Sequence, residues 1–223
     1  MLYLANPSTA AIRDHIEKLS LAAIMSPAQG NRLPEAGWYA ADNGCGPGKH
    51  GIGTGYPGDS AYLKFLMDLD EAEGGDRCDP DTWRCLFATA PDVVGDAKAT
   101  LARSEYFLPL IRHYTRFPAA LVGQDGLECL EVPWETFDAF FIGGSTAWKL
   151  GPAARRLVAQ ARERGLWVHM GRVNSEKRFR YAFEIGCDSV DGTYLTFGPD
   201  ANLPSVLAWQ RGTDSQLPLW GAS

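Results

Sequence analysis

Short apolar runs recur along the chain, each closed by a polar turn and most followed by a segment of helical period, the pattern of βα units around a parallel sheet. The runs predict eight strands: Leu2 to Leu4, Ala22 to Met25, Trp38 to Ala41, Cys85 to Thr89, Ala119 to Val122, Ala139 to Ile142, Trp167 to Met170 and Ser189 to Val190. Between them, Ala10 to Leu19 sets Ile12, Ile16 and Leu19 on one helical face behind a Ser8/Thr9 cap. Pro152 to Arg164 reads as a helix with proline in its first turn and Gly165 just past its end. Further helices are expected over 60–72, 96–114, 175–185 and 201–209, and none after the second strand. Eight strands alternating with helices favour a closed α/β barrel, (β/α)8 of TIM type, over an open doubly wound sheet.

The length of 223 residues is short for such a barrel but enough for a single domain with a large core. The composition, 45% hydrophobic, 11% aromatic and 22% charged, is that of an ordinary globular protein. The first residues lack the basic and apolar regions of a secretion signal, and no apolar run reaches the roughly eighteen residues of a membrane span, so a cytoplasmic protein with no membrane partner is expected. Five widely spaced cysteines, none in C-x-C or C-x-x-C, predict free thiols and no metal site. A net charge of −6 argues against indiscriminate coating of nucleic acid, leaving that role to local basic groups. The candidates are Lys49 and His50 in a glycine-rich loop, and Arg172, Lys177, Arg178 and Arg180 after the seventh strand; solvated surface charge is the plain alternative.

The loop from Gly44 to Gly58, GCGPGKHGIGTGYPG, has neither the G-K-[ST] ending of a P-loop nor a direct opening into a helix, so both nucleotide motifs are rejected. In a (β/α) barrel the chemistry sits where the strands end. Four of the six strand ends inspected carry a carboxylate, among them Asp42, Asp92, Asp125 and Asp191. Converging carboxylates suit reactions through an oxocarbenium-like sugar, one attacking or stabilising the anomeric carbon while another moves protons. They could also hold magnesium, but nothing in the sequence fixes octahedral ligands. Asp125 and Asp188 are expected to be turn or cap residues.

Six segments, in order, resemble the queuine tRNA-ribosyltransferases, or tRNA-guanine transglycosylases. Asp42-Asn43-Gly44 is similar to that family's D-S-G-G, Val122-Gly123-Gln124 to its V-Q-G, Gly143-Gly144-Ser145-Thr146-Ala147 to its G-G-L-A, and His169-Met170-Gly171 to its L-M-G. Asp92 falls where the family has its base-recognising aspartate, and Gly186 to Asp191 resembles the segment that ends on its nucleophilic aspartate. The departures are equally specific. The zinc-binding C-x-C-x-x-C…H segment is absent, Gly46 stands where the family has an aromatic residue against the base, and GTYLTFGPDANL replaces the arginine-rich stretch after the nucleophile. These losses resemble the short, phage-associated DNA-guanine transglycosylases of deazapurine DNA modification, which would place the protein in a host cytoplasm.

The resemblance implies a compact barrel without the zinc-binding subdomain and without a cofactor. It implies exchange of guanine in DNA for a 7-deazaguanine such as preQ0 through a covalent aspartyl-glycosyl intermediate. Asp191 would be the nucleophile and Asp42 the proton carrier. Asp92 and Gln124 would read the purine edge, Gly143 and Gly144 would bring main-chain amides to the base, and Met170 would wall it. His169 is expected to be a packing or supporting residue. DNA, a 7-deazaguanine base and a possible partner protein are the expected partners. A tRNA-directed enzyme, a nucleosidase or glycosidase on the same carboxylate pair, and an inert binding subunit are the rival readings.

Overall fold

Side chains of a strand alternate between its two faces, so in a closed barrel every second residue points into the interior. The computed structural model describes residues 1–46, 55–74 and 82–214. The strands are β1 (Leu2–Ala5), β2 (Ala22–Met25), β3 (Tyr39–Ala41), β4 (Cys85–Thr89), β5 (Ala119–Gly123), β6 (Ala139–Ile142), β7 (Trp167–Met170) and β8 (Ser189–Asp191). All pair in parallel in chain order, and β8 closes on β1 through Leu2 opposite Ser189 and Leu4 opposite Asp191. The (β/α)8 architecture expected from the sequence is therefore the one observed.

Helices α1 (Ala10–Glu17), α2 (Asp59–Glu73), α3 (Ala97–Tyr114), α4 (Thr146–Lys149), α5 (Pro152–Glu163), α6 (Glu176–Ile185) and α7 (Pro199–Asp214) lie between and after the strands. Thr9 caps α1 by accepting from Ile12 N at 3.3 Å, and Gly165, at φ 72°, ends the turn after α5. No helix joins β2 to β3. The expectation for Leu19 is corrected: α1 stops at Glu17, and Leu19 takes φ 60° and is 57% exposed. Main-chain bonds from Ser20 and Leu21 back to the His15 carbonyl wrap the chain around the helix end, which turns Leu19 off the apolar face. Among the described residues no helix is long and apolar enough to cross a membrane.

Two apolar layers follow from the alternation. Tyr3, Ala23, Tyr39, Leu121, Phe140, Val168, Met170 and Val190 face outward into the layer shared with the helices. Leu4, Ala22, Ala40, Phe87, Ala120 and Ala139 fill the interior. Four of those six interior residues are alanines, so the bulk must come from elsewhere. Leu2, Ile24, Phe141 and Trp167 supply part of it and β4 supplies more, since Cys85 opposes Tyr39 but Ala88 opposes Ala41, an extra residue in the strand. That bulge lets both Leu86 and Phe87 join the interior cluster and returns Thr89 to the phase needed at the barrel mouth. The Phe87 ring then packs 5.1 Å from the His169 ring and 6.2 Å from Phe141.

Because Phe87 fills space that the alanines leave, Phe87→Ala should cost about 3–5 kcal/mol and lower the Tm by roughly 10 °C in a chain of this size. Calorimetry checks this; a loss below about 2 °C would mean the interior does not rest on that ring.

Candidate functional site

The same alternation carries inward-facing residues past the strand ends and gathers them at the carboxyl mouth of the barrel. There they enclose a cavity of about 140 Å³, lined by Asp42, Asp92, Gln124, Phe141, Arg172 and Asp191 among others. That volume admits on the order of ten water-sized spheres, the scale of a purine. Asp42 follows β3, Asp92 follows β4, Gln124 follows β5, and Asp191 is the last residue of β8. The three aspartates singled out in the sequence thus share one site.

Each carboxylate is held differently. Asp191 Oδ1 lies 3.0 Å from His169 Nε2, and His169 Nδ1 lies 2.8 Å from Ser189 Oγ. Trp167 Nε1, which can only donate, gives its hydrogen to the same serine oxygen at 2.9 Å. Ser189 Oγ thus meets both the Trp167 and the His169 rings, and His169 Nε2 faces Asp191. Asp92 is clamped by two amides: Asn43 Nδ2 donates to Oδ1 at 3.0 Å and Gln124 Nε2 to Oδ2 at 2.6 Å. Asn43 is itself fixed, donating to Ala90 O and accepting from Cys45 N. Burial raises the Asp92 pKa while these donors pull it back.

Asp42 accepts from Gly44 N at 3.1 Å. Burial, then the charges of Asp191 and Asp92, push its pKa up to about 7. Cys45 also lines the cavity, and burial followed by the Asp92 charge pushes its thiol up to about 12, so it is a poor nucleophile. Two glycines at the strand ends stand where a side chain would not fit, Gly171 on the cavity wall and Gly144 against Trp148 behind it. A Cβ on Gly171 would stand 2.8 Å from Phe141 Cε1 and 3.2 Å from Asp191 Oδ1. Gly144, at φ 61°, would drive a Cβ to 2.5 Å from the Trp148 ring.

Several sequence expectations change here. Met170 is corrected: it is fully buried in the layer between sheet and helices, because β7 points His169 inward and Met170 outward. Gly143 lines the cavity, but its amide donates to Gly123 O and that of Gly144 donates to Gln124 Oε1, each at 3.0 Å. These glycines supply space and not main-chain donors. Gln124 Oε1 also accepts from Gly95 N, so the side chain offers a ligand at most its second amide hydrogen and serves chiefly to hold Asp92. Asp125 binds Ser145 N and Oγ, and Asp188 binds Arg162 and Val168 N, both structural roles as expected.

Of the basic candidates, Lys49 and His50 lie outside the described residues. Arg172 is on the cavity wall, Arg178 donates to Arg172 O at 3.4 Å, Lys177 is exposed on α6, and Arg180 is paired with Glu176 at 2.8 Å. Lys149 was not singled out by sequence: it is 1% exposed and donates to Gly171 O at 2.7 Å directly behind the site. Burial, then Arg172, lower its pKa to about 8. Among the described residues no group of three or more His, Cys, Asp or Glu is placed to hold a metal ion.

No family model matches the chain, and no curated protein matches it either. Among solved structures it is similar to a protein provisionally assigned as a glycerophosphoryl diester phosphodiesterase from Silicibacter pomeroyi, at 15% identity over 71% of this chain and 48% of that one, with a TM-score of 0.33. The chain thus spans about half the length of that protein. It is also similar to the BexX/CysO complex of Amycolatopsis orientalis, at 11% identity over 100% of this chain and 94% of that one, with a TM-score of 0.36.

The raised pKa of Asp42 has a stability consequence of definite sign. The folded chain holds this proton up to about pH 7 whereas an unfolded aspartate releases it near its ordinary value of 3.8, so the Asp42 contribution is present at low pH and is lost as pH rises through 7. Asp42→Asn removes the ionised group and should raise the Tm by about 2–4 °C at pH 8 with little change at pH 4. A Tm gain that is the same at both pH values would show that Asp42 is not crowded by its neighbours.

Proposed function

We propose that this chain is a base-exchange transglycosylase that removes guanine from DNA and inserts a 7-deazaguanine such as preQ0. The observation that carries the reading is the convergence of Asp42, Asp92 and Asp191 on one purine-sized cavity, each in a different electrostatic setting. Supporting it are the six motif-like segments, in order, that resemble the guanine transglycosylases.

In this mechanism the target nucleotide leaves the base stack to reach the cavity. An Asp191 oxygen attacks the anomeric carbon as the bond to the guanine nitrogen breaks, giving a glycosyl ester and a leaving base that takes a proton from Asp42. The incoming 7-deazaguanine returns a proton to the Asp42 carboxylate, its ring nitrogen attacks the same carbon, and Asp191 is released. A group held at about 7 is suited to both transfers, since it is populated in both forms near neutral pH. His169 restrains one Asp191 oxygen and leaves the other for the sugar. Asp92, fixed by Asn43 and Gln124, is an acceptor for the amide and amino hydrogens of a guanine-type base, and a base lacking them would leave it buried with fewer donors.

Asp191→Asn keeps the shape of the side chain and removes the nucleophile. Exchange should fall at least about a thousandfold, with no covalent adduct trapped on denaturing gels and an unchanged circular dichroism spectrum; wild-type turnover in this variant would sink the assignment. The polymer is tested by offering duplex DNA and tRNA in parallel with labelled preQ0. Label is expected in DNA. Label in tRNA alone would move the protein to the tRNA-directed branch, and guanine release without uptake would make it a hydrolase.

A further inference from the structure

Three cations stand together beside Asp191, and among the described residues none of them makes a direct ion pair with a carboxylate. Lys149, Arg172 and Arg178 are close enough that the two guanidinium charges both lower the Lys149 pKa. Among the described residues neither Arg172 nor Arg178 is paired with a carboxylate. Arg172 Nη2 donates to Gly144 O, and Arg178 Nη1 donates to Arg172 O. Lys149, buried at 1% exposure, likewise meets a carbonyl, that of Gly171. Arg180 on the same helix differs, since Glu176 already neutralises it. The nearby acids Asp191 and Asp125 act on Lys149 through their charge, while their hydrogen bonds go to His169 and Ser145.

The backbone here is also held out of its ordinary range. Arg172 has φ 60°, a left-handed conformation that a residue with a Cβ rarely adopts. Lys149 grips the Gly171 carbonyl immediately before it, Gly171 N is tied to Ile142 O, and the Arg172 guanidinium spans from the β7 end to the β6 end across the cavity wall. A glycine would satisfy that φ without strain.

We propose that Arg172 and Arg178, backed by Lys149, form a binding site for one phosphate group of the nucleotide whose sugar is held at Asp191. This deepens the base-exchange reading and rests on it for the identity of the nucleotide; the phosphate site itself rests only on the cation cluster. A guanidinium fork matches phosphate oxygens in two-point hydrogen bonding, and a phosphate would supply the anion that these groups lack. It would also explain how an acidic chain grips its polymer at the reacting nucleotide.

The test titrates the whole chain with 2′-deoxyguanosine, its 5′- and 3′-monophosphates, and inorganic phosphate alone, using calorimetry and the amide resonances of Gly144, Gly171 and Arg172. At least one monophosphate should bind tenfold or more tightly than the nucleoside, which is about 1.4 kcal/mol, and inorganic phosphate should move the three resonances. Arg172→Gly relieves the backbone and should melt no lower than wild type, yet reduce the ratio of nucleotide to nucleoside affinity to near one. Arg178→Gln should lower that ratio partly. Equal affinity for nucleoside and both nucleotides, or a ratio unchanged in Arg172→Gly, overturns the proposal even if base exchange is observed. Resonance shifts with inorganic phosphate that vanish in Arg172→Gly, in a chain that binds no deoxyguanosine, would uphold the phosphate site and remove the base-exchange reading.

Discussion

Like charges at the mouth of a narrow barrel repel one another more strongly as water is withdrawn, and the arrangement around Asp42, Asp92 and Asp191 is a response to that constraint. The three carboxylates do not share one remedy. Asp42 is relieved by retaining a proton, with its pKa raised to about 7. Asp92 is relieved by two amide donors, one on each oxygen. Asp191 is relieved by His169, which is itself oriented by a serine and a tryptophan inside the barrel. Environments that push neighbouring acids apart in this way give them different chemical capacities, and the base-exchange reading proposed above draws on that difference.

Strand alternation is what makes those remedies available. In β7 it sends His169 to the interior and Met170 to the helix layer, and in β8 it sends Ser189 and Asp191 inward on either side of Val190. Trp167, His169, Ser189 and Asp191 therefore meet although β7 and β8 are separated by a whole helix in sequence. The extra residue in β4 has a similar reach. By shifting phase it places Phe87 against His169 and still brings Thr89 to the Asn43 amide, so the bulge supports both the filling of the barrel and the loop that positions Asp92.

Much of this could be read from the chain before its structure was considered. The eight strands and their acidic ends were legible because an apolar run followed by a polar turn is a local signal, and barrel geometry then assigns the ends to one face. Met170 departs from the sequence expectation because short buried strands are apolar on both sides, which hides their phase; only the neighbours across β7 decide it. Leu19 departs from it because the helix stops two residues earlier, and nothing in its spacing marks that stop. Lys149 left no signal at all. A lysine in a four-residue helix reads as surface charge until the Gly171 carbonyl is brought to its ammonium by the β6 and β7 pairing.

The roles proposed for Asp92 and Asp42 ask different things of a carboxylate, and the two are held with different firmness. Asp92 has both oxygens fixed by side chains that are themselves anchored, Asn43 through the Ala90 carbonyl and Gln124 through the Gly95 and Gly144 amides. A group so preorganised discriminates well, because a mismatched ligand cannot recover the lost hydrogen bonds by letting it turn. The amide donors on Asp92 favour the ionised form and oppose the rise that burial imposes on its pKa. Asp42 meets the opposite requirement. Its carboxylate takes a main-chain hydrogen from Gly44 on one oxygen, and its crowding by Asp191 and Asp92 favours the protonated form without excluding the ionised one. Under the proposed reading, hydrogen-bond saturation is what separates the two acids: the amide clamp from Asn43 and Gln124 suits Asp92 to recognition, and the looser hold on Asp42 suits it to proton transfer.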